Sequence, residues 1–171
     1  MDEFEVEVKN LMDFPWNAID NISIGNIRRT KSTPDIYYLI KYKKQPFFVV
    51  NVYYDYNSVF RGAELLGNYL FVGFCESLFI INLVEKNTQN INMKGYFGEL
   101  YKYENLILVS SALDLLCFNK DAELLWVSND LGIDGVIVHN IDGGIIYGSG
   151  EFDPPGGWID FKIKLSSGEK C

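Results

Sequence analysis

A loop at residues 148–158, GSGEFDPPGGW, holds two carboxylates and an indole ring within a few residues of one another. Its prolines fix their own φ, and its glycines permit a tight return into the following strand. Glu151 and Asp153 could therefore be held in a fixed pose beside Trp158, as rigid sheets often hold functional loops. The preferred interpretation is nevertheless a wide structural turn, whose acids hydrogen-bond local backbone and whose Trp158 packs on the core.

Paired carboxylates also suggest glycoside hydrolysis or calcium binding. The acids available for an acid and base pair are Glu151, Asp153, Asp130 and Asp134. Nothing in their spacing sets them at a catalytic separation. A calcium site from Asp130, Asp134 and Asp142 lacks the D-x-D-x-D-G spacing of a dedicated loop. Glycoside hydrolysis and calcium binding therefore remain minor alternatives.

The single histidine limits the enzyme classes further. His139 lies in an apolar stretch typical of a strand, and no nucleophile elbow accompanies it, so a hydrogen-bonded strand histidine is the preferred interpretation. Cys75, Cys117 and Cys171 are scattered without zinc-ligand spacing, which favours buried thiols in a reducing compartment. The glycines form no phosphate-binding pattern. We predict no enzymatic activity, no metal and no cofactor.

Acidic residues concentrate in the second half of the chain. The net charge is −8, and residues 99–160 carry eleven acids against only Lys102 and Lys120. Such a segment repels nucleic acid and attracts a basic protein, although it could also be a solvated surface that only keeps the protein in solution. The predicted partner-binding residues are Asp130, Asp134, Asp142, Glu151, Asp153, Trp158 and Asp160.

Strand signals recur along the whole chain. The composition is 15% aromatic, and short runs of Val, Ile, Leu, Phe and Tyr are bounded by Gly, Asn, Asp or Ser. The predicted strands are residues 4–8, 36–42, 47–54, 69–74, 77–83, 106–110, 115–119, 124–127, 136–140, 145–148 and 158–165. Only residues 15–22 suit a helical turn or two. The predicted hairpin turns are residues 44–46, 119–121 and 142–144.

An internal repeat decides the fold class. Segments that begin at Tyr69, Asn105 and Gly144 each contain an apolar strand ending in small residues, a turn and a second strand. Their spacing of 36 and 39 residues is close to one propeller blade, and the hairpin of residues 37–54 could begin a fourth unit. We predict an all-β, propeller-like antiparallel meander of three to four blade-like units, with a β-sandwich or irregular barrel as alternative. Residues 1–171 should form a single domain, because residues 56–67 are too apolar for a linker.

The first residues, MDEFEVEVKN, are acidic and alternate polar with apolar, unlike a signal peptide. The longest apolar runs fall far short of the ~20 residues that cross a bilayer. We expect a cytoplasmic protein without a membrane segment.

The stretch of residues 113–169, which includes LGIDGV and GEFDPPGGW, resembles the C-terminal part of a group of small bacterial proteins of unassigned activity. It is similar to propeller-type blades but lacks the Gly-His and Trp-Asp pairs of WD repeats. In size and acidity the chain also resembles immunity proteins of contact-dependent growth inhibition systems. That resemblance implies a cytoplasmic inhibitor that binds a cognate toxin, for which a basic nuclease is the expected partner. The alternative is a domain that binds a small molecule or carbohydrate, or hydrolyses it, through residues 151–158.

Overall fold

The computed structural model describes residues 4–10, 19–26, 33–153 and 155–171, which form fifteen β-strands and no helix. The strands lie in four sheets, here called blades 1 to 4 in chain order. Blade 1 contains β1 (Phe4–Lys9), β2 (Asn21–Gly25), β3 (Ile36–Tyr42) and β4 (Gln45–Tyr53). Blade 2 contains β5 (Arg61–Leu66), β6 (Tyr69–Phe74), β7 (Ser77–Asn82) and β8 (Asn87–Asn92). Blade 3 contains β9 (Phe97–Tyr103), β10 (Leu106–Ser111), β11 (Leu115–Asn119) and β12 (Leu124–Ser128), and blade 4 contains β13 (Val136–Asp142), β14 (Ile145–Glu151) and β15 (Trp158–Lys164). The predicted all-β, propeller-like fold is confirmed, and the described residues contain no helix able to cross a membrane.

Blades 2 to 4 are antiparallel meanders in which strands pair in chain order. The first strands of successive blades contact one another, β1 with β5, β5 with β9, and β9 with β13. This is the arrangement around a propeller axis, where each blade begins on the inside and proceeds outward. Successive blades therefore present corresponding strand ends to the same side of the molecule.

The internal repeat corresponds to structurally equivalent hairpins. The three aligned segments form β6–β7, β10–β11 and β14–β15, which are the second and third strands of blades 2, 3 and 4. The hairpin that was expected to begin a fourth unit is β3–β4, at the centre of blade 1. The prediction that residues 70–73, 106–110 and 145–148 occupy matching strands is therefore confirmed.

The repeat's small residues have a packing role. Gly73 lies in β6, and a Cβ atom on it would sit 1.9 Å from Cε2 of Phe97, which is fully buried at the start of β9. The phenyl ring therefore packs directly on the backbone of the preceding blade. Only glycine leaves enough room for this contact.

The turns follow hairpin chemistry with one shift. Gly143 and Gly144 have φ of +55° and +76° and form a two-residue turn between β13 and β14, within the predicted residues 142–144, of which Asp142 belongs to β13. In blade 1 the turn residues are Lys43 and Lys44, also at positive φ, whereas residues 45 and 46 already belong to β4. The predicted turn at residues 44–46 was thus one residue late, because strand pairing holds two lysines in the backbone geometry that a two-residue turn requires.

Four strands, β2, β5, β8 and β9, were not predicted. The six residues of β8, NTQNIN, are almost all exposed and so carry no apolar pattern. Strand β2 pairs in parallel with β4 at the outer edge of blade 1, a departure from the antiparallel prediction. Of the predicted helical turns at residues 15–22, residues 21 and 22 lie in β2, and residues 11–18 lie outside the described residues.

The described residues contain three apolar cores, one between each pair of successive blades. Val50 and Leu70 belong to the core between blades 1 and 2. Phe71 and Phe118 meet edge to face at 5.5 Å between blades 2 and 3. Leu108, Trp126 and Ile146 belong to the core between blades 3 and 4. The blades are therefore stacked side by side along an arc, and each inner blade is covered on both faces.

Candidate functional site

The strand ends of blades 2, 3 and 4 enclose a cavity of about 400 Å³. We call it the mouth cavity. Its walls come from the beginnings of β5, β9, β13 and β15 and from the ends of β10 and β14. Antiparallel pairing places all of these termini at one edge of the arc, so residues far apart in sequence meet there.

Aromatic side chains form much of the wall, and they are Phe60, Tyr96, Tyr101 and Trp158. The rings of Phe60 and Tyr96 are stacked, with centroids 5.0 Å apart and planes inclined by 15°. Phe60 is 45% exposed and Trp158 is 42% exposed, whereas the neighbouring Val59 is 87% exposed. Large apolar side chains therefore meet solvent at the rim, as at many protein interfaces.

The position before the first strand explains how the rings are arranged. Phe60 precedes β5, Tyr96 precedes β9, and Gly135 occupies the corresponding place before β13. Gly135 has φ of +152°, and a Cβ atom there would lie 3.2 Å from Trp158 and 3.4 Å from the Tyr96 hydroxyl. Blade 4 thus has no side chain at this position, and the Trp158 ring occupies the space.

Two tyrosine hydroxyls connect neighbouring blades at the mouth. Tyr96 donates a hydrogen bond to the backbone carbonyl of Asp134, and Tyr101 accepts one from the backbone N–H of Val138 at 3.2 Å. Burial raises the pKa of Tyr101 to about 12. The pKa of Tyr96 is raised first by burial and then by the negative charges of Asp134 and Glu151. Both phenols are therefore neutral at physiological pH.

Three carboxylates line the cavity, those of Glu99, Asp134 and Glu151. Glu151 fixes two loops. Its side-chain Oε1 accepts a hydrogen bond from Gly156 N in its own loop at 2.6 Å, and its backbone carbonyl accepts one from Ile133 N, in the loop before β13, at 2.8 Å. The Arg61 guanidinium lies 5.6 Å from the centroid of the Tyr54 ring. Tyr54 belongs to a neighbouring polar recess and does not line the mouth cavity.

Of the predicted partner-binding residues, Asp134, Glu151 and Trp158 meet in the mouth cavity. Asp160 lies two residues further along β15, where Lys162 follows on the same face. Asp153 is exposed in the β14–β15 loop, outside the cavity lining.

The other two predicted acids lie apart from this group. Asp130 is exposed at φ of +55°, and its N–H donates to the buried carboxylate of Asp114 at 3.1 Å. Asp142 ends β13, six residues beyond Val136 and therefore roughly 20 Å from the mouth.

The GEFDPPGG loop closes on itself through its backbone. Phe152 N donates to Gly157 O, and Gly157 N donates to Asp153 O, each at 2.9 Å. Together with the Glu151 contact, these bonds match the structural-turn interpretation, in which the loop acids bind local backbone. Trp158 is 42% exposed and lies against Gly135, so it is not a buried core residue, whereas Trp126 is buried and donates to Leu165 O at 2.9 Å. Pro154 lies outside the described residues.

The histidine and the cysteines do not line the mouth cavity. His139 is exposed on β13, and its Nε2 is 2.8 Å from the hydroxyl of Ser149, as expected of a hydrogen-bonded strand histidine. Cys75 and Cys117 are buried, and burial raises the pKa of Cys117 to about 12, so its thiol is a poor nucleophile. Within the described residues no three His, Cys, Asp or Glu side chains are grouped to hold a metal ion.

Sequence reasoning missed Phe60, Tyr96, Tyr101 and Glu99. Phe60 lies in a segment with no predicted strand, and the other three lie in or beside β9, which was also not predicted. Alignment of the residue before each blade's first strand would have paired Phe60 with Tyr96. That alignment requires the blade boundaries to be known.

No family model and no curated protein matches the sequence. Among solved structures the chain is similar to BamB from Moraxella catarrhalis, with a TM-score of 0.51 and 16% identity over 79% of this chain and 43% of BamB. It is also similar to KlHsv2 with loop 6CD replaced by a Gly-Ser linker, with a TM-score of 0.50 and 12% identity over 82% of this chain and 49% of that protein. Both are β-propellers, which establishes the fold alone. The chain matches less than half the length of either.

Proposed function

We propose that this is a binding protein of bacterial competition, an immunity protein that attaches to a basic toxin and blocks its active surface. One observation carries the proposal: the mouth cavity combines exposed aromatic rings with three carboxylates on rigid strand ends. Aromatic residues are enriched among the hot spots of interfaces, and negative charge attracts a basic partner. The acids of residues 99–160 add a field that would speed the encounter.

The site fits inhibition of a nuclease by simple occupation. A nuclease needs a basic face to hold its substrate, and carboxylates on a preformed scaffold compete for the same cations without any chemistry of their own. Asp134, Glu151 and Trp158 form the centre of the proposed contact. Asp153 and Asp160 lie nearer its edge, and Asp130 and Asp142 contribute only to the long-range field. Such an inhibitor acts in the cytoplasm, where the toxin meets its substrate.

A second candidate function is carbohydrate or small-molecule binding. It is favoured by one detail, the half-exposed Trp158 ring beside the Glu151 carboxylate. A sugar could stack on the indole while a carboxylate accepts its hydroxyl hydrogen bonds. This function would need no protein partner.

Co-expression with toxins encoded beside the protein's gene tests the proposal. We expect wild-type protein to restore growth, and the Asp134→Arg, Trp158→Ala double variant to fail at equal expression, because both changes remove groups at the contact centre. Asp121→Arg is the control, since Asp121 is an exposed acid in the turn between β11 and β12, at the opposite strand ends. Equal protection by the double variant would contradict a binding role for the mouth.

A further inference from the structure

The mouth cavity has the dimensions of a side-chain receptor. Its volume of about 400 Å³ lies near the lower end of the roughly 300–1,000 Å³ typical of ligand sites. Fully buried Ser110 and Ser111 contribute to the wall, and their hydroxyls already bond backbone N–H groups of Glu99 and Asp114. The cavity therefore has room for one extended side chain, and the two serine hydroxyls are already hydrogen-bonded.

The carboxylates of the cavity have charge available for such a group. In the described part of the chain, no ion pair joins Glu99, Asp134 or Glu151 to a basic residue. Arg61, the one basic residue among the lining residues, places its guanidinium against Tyr54. A cation that enters the cavity would thus meet a wall of net negative charge, three carboxylates against the one guanidinium of Arg61.

The aromatic walls favour a flat cation. One face of the Tyr96 ring is covered by Phe60, and the 42% exposed Trp158 ring lies against Gly135, in the same cavity wall as Asp134. Cations bind the faces of aromatic rings, and Trp binds them best. A guanidinium can stack on such a ring while it donates two parallel hydrogen bonds to a carboxylate, whereas an ammonium group behaves as a compact, strongly hydrated point charge.

We propose that the mouth cavity receives an arginine side chain of the partner protein, stacked on Trp158 and paired with Asp134. The inference rests on the proposed function and specifies the chemistry by which the partner is held. Glu99 and the free oxygen of Glu151 supply further acceptors around the guanidinium.

Titration of the ¹⁵N-labelled full chain with N-acetyl-arginine amide tests this directly. We expect saturable shifts at the Trp158 indole N–H and at Gly135, with a dissociation constant in the millimolar range, about 1–10 mM, as befits one side chain. N-acetyl-citrulline amide has nearly the same planar shape but no charge. N-acetyl-lysine amide has the charge but no planar group. Each should bind at least about tenfold more weakly, a loss of about 1.4 kcal/mol.

Two variants test whether the arginine probe binds in the mouth cavity. Asp134→Asn should lower the affinity for the arginine probe by about tenfold. Asp121→Asn, at the far strand ends, should leave that affinity unchanged. An unaltered spectrum away from the mouth shows that Asp134→Asn is folded. Equal affinity for the citrulline probe, shifts that do not saturate, or shifts outside the mouth would overturn the proposal. Tighter binding of free arginine than of its capped amide would assign the site to a small metabolite and overturn the partner-protein assignment.

The outcome is separable from that of the growth assay. If the arginine probe fails to bind while Asp134→Arg, Trp158→Ala still abolishes protection, arginine recognition is wrong and the inhibitory role stands. If the probe binds while the double variant protects fully, the cavity is a cation site and the inhibitory role of the mouth is wrong.

Discussion

Single residues determine the shape of the mouth cavity. The chain places an aromatic ring before the first strand of blades 2 and 3 and a glycine before that of blade 4, and the indole of Trp158 enters the space left at Gly135. The sequence alone predicts Asp134, Glu151 and Trp158 as binding residues because the loop that contains two of them is unusual. It could not predict that Tyr96 and Phe60 join them, since that depends on how neighbouring blades align.

At the residue scale, Tyr101→Phe should lower the free energy of unfolding by about 1–3 kcal/mol, the cost of leaving a buried N–H group unpaired. The hydroxyl of Tyr101 accepts a hydrogen bond from Val138 N and so connects β9 to β13. Chemical denaturation at neutral pH measures the change. Tyr103→Phe on the same strand is the control, because no described residue hydrogen-bonds its hydroxyl, and a change within about 0.5 kcal/mol is expected. Equal losses in the two variants would show that the hydroxyl of Tyr101 contributes nothing specific.

Tyr101 should also make the stability of the fold depend on pH. Tyr101 has an ordinary pKa of 10.0 and a folded-state pKa of about 12, so between these values the folded chain retains a proton that the unfolded chain has lost. Its contribution to stability is therefore complete below pH 10 and is lost as the pH rises through about 12. The difference in stability between wild type and Tyr101→Phe should shrink across that interval.

At the scale of elements, the apolar hairpins were predictable and the strands that flank them were not. Strands β6, β7, β10 and β11 are buried on both faces and read as continuous apolar runs, typical of strands inside a layered fold. Strand β8 is polar and exposed, and it forms because β7 offers a free edge for pairing. Such strands form through backbone hydrogen bonds to a neighbouring strand, which do not require a particular side-chain pattern.

Close packing between blades gives a second stability prediction. Gly73→Ala should destabilise the fold by about 1–3 kcal/mol or more, because the new methyl group would overlap the buried Phe97 ring and force a shift between blades 2 and 3. Denaturant titration provides the measurement.

Gly62 offers a matched control for this variant. It pairs directly with Gly73 across β5 and β6, yet a Cβ atom on it would be 3.7 Å from the nearest atom, Leu100 Cδ1. Gly62→Ala should therefore leave stability within about 0.5 kcal/mol of wild type or raise it slightly. Similar losses for the two alanines would mean that loss of glycine itself, and not the contact with Phe97, is responsible.

At the scale of the whole molecule, blades 2 to 4 bring strand ends together at the mouth cavity, and the acids are distributed over both ends of the strands. Only three of the predicted binding residues reach the mouth, while Asp142 lies at the opposite end of β13. Charge concentrated along the sequence is therefore not charge concentrated on one surface. The local count of acids predicts a negative field, and the blade geometry selects which acids a partner can touch.

We propose that a basic partner binds at the mouth cavity. The most direct test is to measure how tightly a toxin that the wild-type protein neutralises binds the Asp134→Arg and Asp121→Arg variants. Both variants change the net charge equally, so the general field is altered to the same extent and only the location differs. We predict that Asp134→Arg weakens binding by at least about tenfold, chiefly through faster dissociation, and that Asp121→Arg weakens it by less than about threefold. Equal losses in the two variants would contradict the claim, because the toxin would then respond to the overall charge of the protein and not to the mouth.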